Sequence, residues 1–164
     1  MAEKKTNKID TKKIVSICIA ALAFIFIFIS WFKVSIMGYS EGFNILHSDM
    51  FDVSVLMGIA KILAIVCIIL FVAYVSNFFV DLKKLIPGLE KIDLDKYLPL
   101  GYYGLYAAAL IFTLIGTFTC ESSKYVHPAF GWYFALIIVA CGLIIIFKPD
   151  FFEKVVAKIK AAKK

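Results

Sequence analysis

Four apolar stretches dominate the chain and leave few folds open to it: Ile14–Phe32, Val53–Val80, Leu100–Cys120 and Phe130–Phe147. A hydrocarbon core about 30 Å thick takes roughly 20 apolar helical residues per crossing, and each stretch is close to that length or longer. A chain of 164 residues that is 62% hydrophobic has more apolar surface than one soluble core can hide. In lipid every backbone N–H and C=O needs an internal partner, so only helices and closed barrels cross. The runs lack the apolar-polar alternation of barrel strands. The sequence therefore predicts an all-α membrane protein, a four-transmembrane-helix bundle with spans at about 14–32, 53–80, 100–120 and 130–147. This membrane domain, 14–147, lies between a basic N-terminus, 1–13, and an amphipathic basic tail, 148–164.

All eighteen basic residues are lysines, and their positions set an orientation. They crowd into the N-terminal segment (Lys4, Lys5, Lys8, Lys12, Lys13), the middle loop (Lys83, Lys84, Lys91, Lys96) and the tail (Lys148, Lys154, Lys158, Lys160, Lys163, Lys164). Four crossings put all of these on one side. The other side holds Lys124 and, in the first loop, the acids Glu41, Asp49 and Asp52. The positive-inside rule then makes both termini and the middle loop cytoplasmic. The net charge of +6 is accounted for by topology, with anionic lipid headgroups rather than nucleic acid as the partner. The basic start, apolar run and Ala21–Ala23 imitate a cleavable leader, but F-I-F-I-F-I-S-W-F continues directly, and the first span is read as retained.

Cys18, Cys67 and Cys141 fall within spans, and only Cys120 approaches the outer surface. With no C-x-x-C and no outer pair, the thiol exchange of four-helix quinone-linked oxidoreductases has no reagents here. No span carries a central carboxylate, which compact proton-coupled exporters need. No cofactor is implied, and the reading is non-enzymatic.

After span one, Val34 and Ile36 alternate with Ser35 and Met37, and G-Y-S-E-G has turn composition before F-N-I-L resumes. A short outer hairpin or an irregular cap is expected. Ser48 or Asp49 is placed to cap span two. In the middle loop Pro87–Gly88 interrupts any continuous helix. Small residues at helical spacing mark packing faces in lipid: Gly104 with Ala108, and Ala109, Thr113 and Gly116, in span three; Gly131, Ala135 and Gly142 in span four. Trp132 and Tyr133 are assigned to the outer aromatic belt. In the tail, Asp150 and Glu153 cap an amphipathic helix with Phe151, Phe152, Val155, Val156 and Ile159 on one side, the pattern of an interfacial helix.

Lys61 is the one cation well inside an apolar run. It either snorkels toward the headgroups or faces the bundle and pairs with Glu41 or Glu121. Lys33, at the end of span one, snorkels more readily. His47 and His127 are the only histidines; as weak metal candidates they lack a short ligand spacing, so no metal is expected.

The run from Trp31 to Leu46, W-F-K-V…G-Y-S-E-G-F-N-I-L, resembles the first outer segment of uncharacterised bacterial four-helix membrane proteins with a Trp-Phe exit from span one and a glycine-containing loop. The topology is also similar to that of claudin-like tetraspan proteins, without their W…G-L-W…C…C signature. The function read from this is a structural or accessory membrane subunit that assembles through small-residue helix faces and its outer segment. Its partners are the bilayer, together with a second copy or another membrane protein. The alternative is a small channel, pore or transporter component with an anion-preferring site near Lys61 and Lys33.

Overall fold

The computed structural model describes residues 11–48, 50–80, 82, 91–121, 123–151, 154–155 and 158. In chain order they form α1 (Thr11–Ile27), β1 (Phe32–Ile36), β2 (Tyr39–Phe43), α2 (Met50–Val53), α3 (Val55–Phe79), α4 (Leu94–Thr119), β3 (Val126–Pro128) and α5 (Phe130–Phe147). Three of these, α3, α4 and α5, are long and apolar enough to cross a membrane. Most of the middle loop and of the C-terminal amphipathic helix lies outside the described residues.

The first apolar run does not stay helical to its end. α1 stops at Ile27 after 17 residues, a rise of about 26 Å at ~1.5 Å per residue. The indole Nε1 of Trp31 donates to the Phe26 carbonyl at 2.6 Å, and the Trp31 N–H donates to Phe43 at 2.9 Å. The first bond satisfies a carbonyl that the ended helix leaves open; the second starts the sheet. α3 also begins otherwise than expected. The residue that caps it is Ser54, whose side chain accepts from the Leu56 N–H at 3.3 Å, because the short α2 intervenes after Ser48. α4 starts six residues before Leu100 and carries Pro99 inside it.

The chain is not purely helical. β1 and β2 form the expected hairpin, with Phe32 opposite Phe43 and Ile36 opposite Tyr39. Met37 and Gly38 turn it with φ of 49° and 86°, the paired left-handed conformations of a type I′ turn. Such turns favour Asn-Gly, and a methionine there bears roughly 1 kcal/mol of backbone strain. A third strand, β3, pairs with the other edge of β1, Lys33 opposite His127 and Val34 opposite Val126, giving the antiparallel order β2-β1-β3. The Ser35 N–H extends this pairing to the Tyr125 carbonyl, and the Ala129 and Gly131 N–H groups donate to Trp31 and Ser30. The α4–α5 connection is thereby laced to the exit of α1, and Gly131 sits so close to the Ser30 carbonyl that a Cβ has no room.

α4 packs along α3 on one side and α5 on another, while α1 packs on α5 and less extensively on α3. The sheet covers one end of these helices, the sheet end, where α1 and α4 finish and α3 and α5 begin. Ile62, Ile69, Val72, Ile111 and Ile137 point outward from the helices, each at least half exposed. A helical body that is apolar outside as well as inside is the pattern of membrane burial.

Candidate functional site: the tyrosine layer and the sheet end

Between α1 and α4 the interior is filled by tyrosines. Tyr102, Tyr103 and Tyr106 occupy one face of α4 and are essentially fully buried. Their hydroxyls donate to carbonyls of α1: Tyr102 to Ala20 at 3.0 Å, Tyr103 to Ser16 at 3.1 Å and Tyr106 to Ala23 at 2.9 Å. Tyr74 of α3 adds a bond from its hydroxyl to the Ser16 hydroxyl at 2.9 Å. A helical carbonyl has a second lone pair, so it accepts these bonds without breaking its helix. The rings reach the backbone because the facing residues, Ser16, Ala20 and Ala23, are small and buried. Gly142 of α5 leaves room for the Tyr103 ring, which would collide with any Cβ there. Trp31 closes the layer at the sheet end, 5.5 Å from Tyr106 between ring centroids.

This layer was legible only in part. The Y-Y-x-x-Y spacing of Tyr102, Tyr103 and Tyr106 and the four-then-three spacing of Ser16, Ala20 and Ala23 were available signals that reading α4 for its small residues passed over. The carbonyl partners were not available, since they depend on how α1 and α4 are rotated toward each other.

The small residues of α4 separate into two groups. Ala109, Thr113 and Gly116 are buried; a Cβ on Gly116 would lie 2.8 Å from the Met57 side chain and 3.2 Å from its backbone nitrogen. Gly104 is exposed with nothing near its Cβ position, and Ala108 is only half-buried. On α5, Gly131, Ala135 and Gly142 are all buried. Trp132 is 7% exposed, and its indole donates to the Leu110 carbonyl at 2.9 Å. It joins α5 to α4 instead of standing in an aromatic belt, whereas Tyr133 is half exposed.

At the sheet end, the Lys61 ammonium donates to the carbonyls of His47 at 3.0 Å and Ser48 at 3.4 Å. It ties the loop after β2 to α3. No ion pair joins it to Glu41 or Glu121 among the described residues; Glu41 is exposed on β2 and Glu121 exposed beyond α4. Lys33 is exposed on β1, level with His127. The two histidines are not brought together: the His47 ring stands edge-on to Phe43 at 5.0 Å, while His127 is exposed on β3. No group of three or more His, Cys, Asp or Glu forms among the described residues.

At the far end, Lys13 of α1 pairs with Asp95 of α4 at 2.8 Å, and the Asn77 amide donates to the same carboxylate at 3.2 Å. Both charged partners are at least half exposed, so this pair adds little stability. Among the described residues every buried side-chain nitrogen and oxygen has a hydrogen-bond partner.

These features define a protein of transmembrane-helix character with a small sheet at one end of its helices. The chain matches no family model, no curated protein and no solved structure.

Proposed function

We propose that the chain is a four-span integral membrane protein with cytoplasmic termini, acting as a non-catalytic structural or accessory subunit of a bacterial cytoplasmic membrane. In this reading α1, continued by residues 28–31, is the fourth crossing, and the sheet end is extracytoplasmic. The observation that carries the reading is the tyrosine layer: the polar groups between α1 and α4 are bonded to helix carbonyls, and aromatic rings occupy the space between them. A bundle joined in this way favours a static scaffold over a solute path. The engagement of Lys61 by two loop carbonyls supports the same choice over an anion-selective pore.

Proteoliposomes test it. Purified protein reconstituted into vesicles is expected to leave chloride and potassium permeability at the level of empty vesicles, and a protein-dependent flux would overturn the scaffold reading. Orientation is tested separately in cells by labelling a cysteine-free parent. A cysteine at Ser40 is expected to react from outside and one at Lys91 only after permeabilisation; the reverse pattern inverts the topology.

A further inference from the structure

The tip of the β1–β2 hairpin combines two features that a turn in water does not need. Met37 stands at φ 49°, where Asn or Gly is the favoured residue, and its side chain is 95% exposed. Beside it Ile36 is 49% and Tyr39 85% exposed. An aqueous turn gains from neither the strain nor the exposed apolar surface.

The register says which way the tip faces. Side chains alternate between the two faces of a strand. Phe32, Val34 and Ile36 therefore share one face of β1, with Phe43, Glu41 and Tyr39 opposite them on β2 and Val126 opposite Val34 on β3. This face rests on the helical body: Phe32 and Val126 are buried, and Val34 and Phe43 pack against the core. Lys33 and His127 occupy the other face and are exposed. Along β1 the body-facing side chains go from fully buried at Phe32, through half-buried at Val34, to half exposed at Ile36. The hairpin runs past the edge of the helices with Ile36 and Tyr39 still on that side, and Glu41 exposed on the outer strand β2 between Tyr39 and Phe43.

We infer that the overhanging tip, Ile36, Met37 and Tyr39, is a lipid anchor, seated at the headgroup boundary of the bilayer that surrounds the helices. The inference rests on the membrane reading above. Beyond the edge of the helices, a face turned toward the body is turned toward lipid, and the tip continues the outward apolar surface of the helices. Tyr39 suits the boundary, with an apolar ring and a polar hydroxyl. Lys33 and His127, on the opposite face, stay in water.

The test uses the full chain in phosphatidylcholine vesicles, with tryptophan as reporter over the buried background of Trp31 and Trp132. Met37→Trp is expected to be quenched by lipids brominated in the upper acyl chain and protected from aqueous iodide; His127→Trp is expected to show the reverse. Tyr39→Trp, which exchanges one aromatic for another, serves as a second reporter in case Met37→Trp disturbs the turn. In the Tyr39→Trp background, Met37→Asn is expected to suit the turn better while lowering bromolipid quenching. Iodide quenching of both tip reporters without bromolipid quenching overturns the anchor. Protection from both quenchers also overturns it, in favour of a protein contact such as a second copy. Ile137→Trp on α5 separates the two levels: if it too escapes bromolipid, the membrane reading fails, whereas quenching there with none at the tip fails the anchor alone.

Discussion

α4 meets two of its neighbours, α3 and α1, by opposite means. Toward α3 it presents Ala109, Thr113 and Gly116, and the backbones come so close that one added carbon at Gly116 meets the Met57 amide. Toward α1 it presents Tyr102, Tyr103 and Tyr106, which hold the helices a ring's length apart and end on α1 carbonyls. Among lipid tails, helices gain nothing from burying apolar surface against each other, so association needs close van der Waals contact or directed hydrogen bonds. One helix uses each at a different level along its length, the tyrosines toward its start and the small residues toward its end, since Tyr102, Tyr106, Ala109, Thr113 and Gly116 follow one another on a single stripe. The first mode depends on the absence of side-chain volume and fails abruptly when volume is added. The second depends on separate bonds and weakens by steps.

The sharpest break is Gly116→Leu. The larger side chain runs into the Met57 backbone, which yields only if α3 moves. Overpacking a tight contact costs about 1–3 kcal/mol, and the upper end or beyond is expected here, read as a drop in thermal stability in detergent. A melting temperature unchanged from the parent would remove the close α3–α4 contact as a source of stability.

Removing the three tyrosine hydroxyls together, Tyr102→Phe with Tyr103→Phe and Tyr106→Phe, keeps the ring volume and deletes only the bonds. Interhelical hydrogen bonds in membranes average about 0.6 kcal/mol each, so about 2 kcal/mol is expected for the three. The loss should be graded across the single, double and triple variants. Hydrogen exchange should rise in α1 before it rises in α3. A single variant as damaging as the triple would mean that the layer acts as one unit.

Lys61→Met tests a third mode, a cation holding a loop. Losing the bonds to the His47 and Ser48 carbonyls is expected to cost about 1 kcal/mol and to loosen residues 44–48. Double-mutant cycles with Glu41→Gln and with Glu121→Gln should be additive, since neither acid pairs with the lysine. Coupling above roughly 0.5 kcal/mol in either cycle would reinstate the ion pair.

The smallest effect is expected at Gly104→Leu. Nothing lies near its Cβ position, so stability should stay within about 0.5 kcal/mol of the parent. A cost approaching that of Gly116→Leu would show that the exposed side of α4 is covered by another chain.

What the sequence determined by itself is local. Length and continuity of the apolar runs placed the long helices, because a backbone in lipid has few other ways to satisfy its own polar groups. Turn composition around Gly38 placed a hairpin or an irregular cap there, and the structure has the hairpin. The spacing of Ala109, Thr113 and Gly116 marked a face that is buried, although the same rule applied to Gly104 marked one that is open: small residues permit close approach and do not say which helix will make it.

Tertiary structure decided every choice of distant partner. The strand at Val126–Pro128 was invisible as three residues in a loop, and became a strand because β1 had an open edge beside it. Trp132 has the composition of a belt residue, yet the rotation of α5 turned its indole onto the Leu110 carbonyl. Lys61 was expected on an acid or in the headgroups; the loop after β2 folds over it and offers carbonyls first. In each case the competing partners are chemically similar, and differences of a few ångströms in helix position select among them. Periodicity along one chain segment carries no information about those positions, because they are fixed by how all the helices and the sheet pack at once.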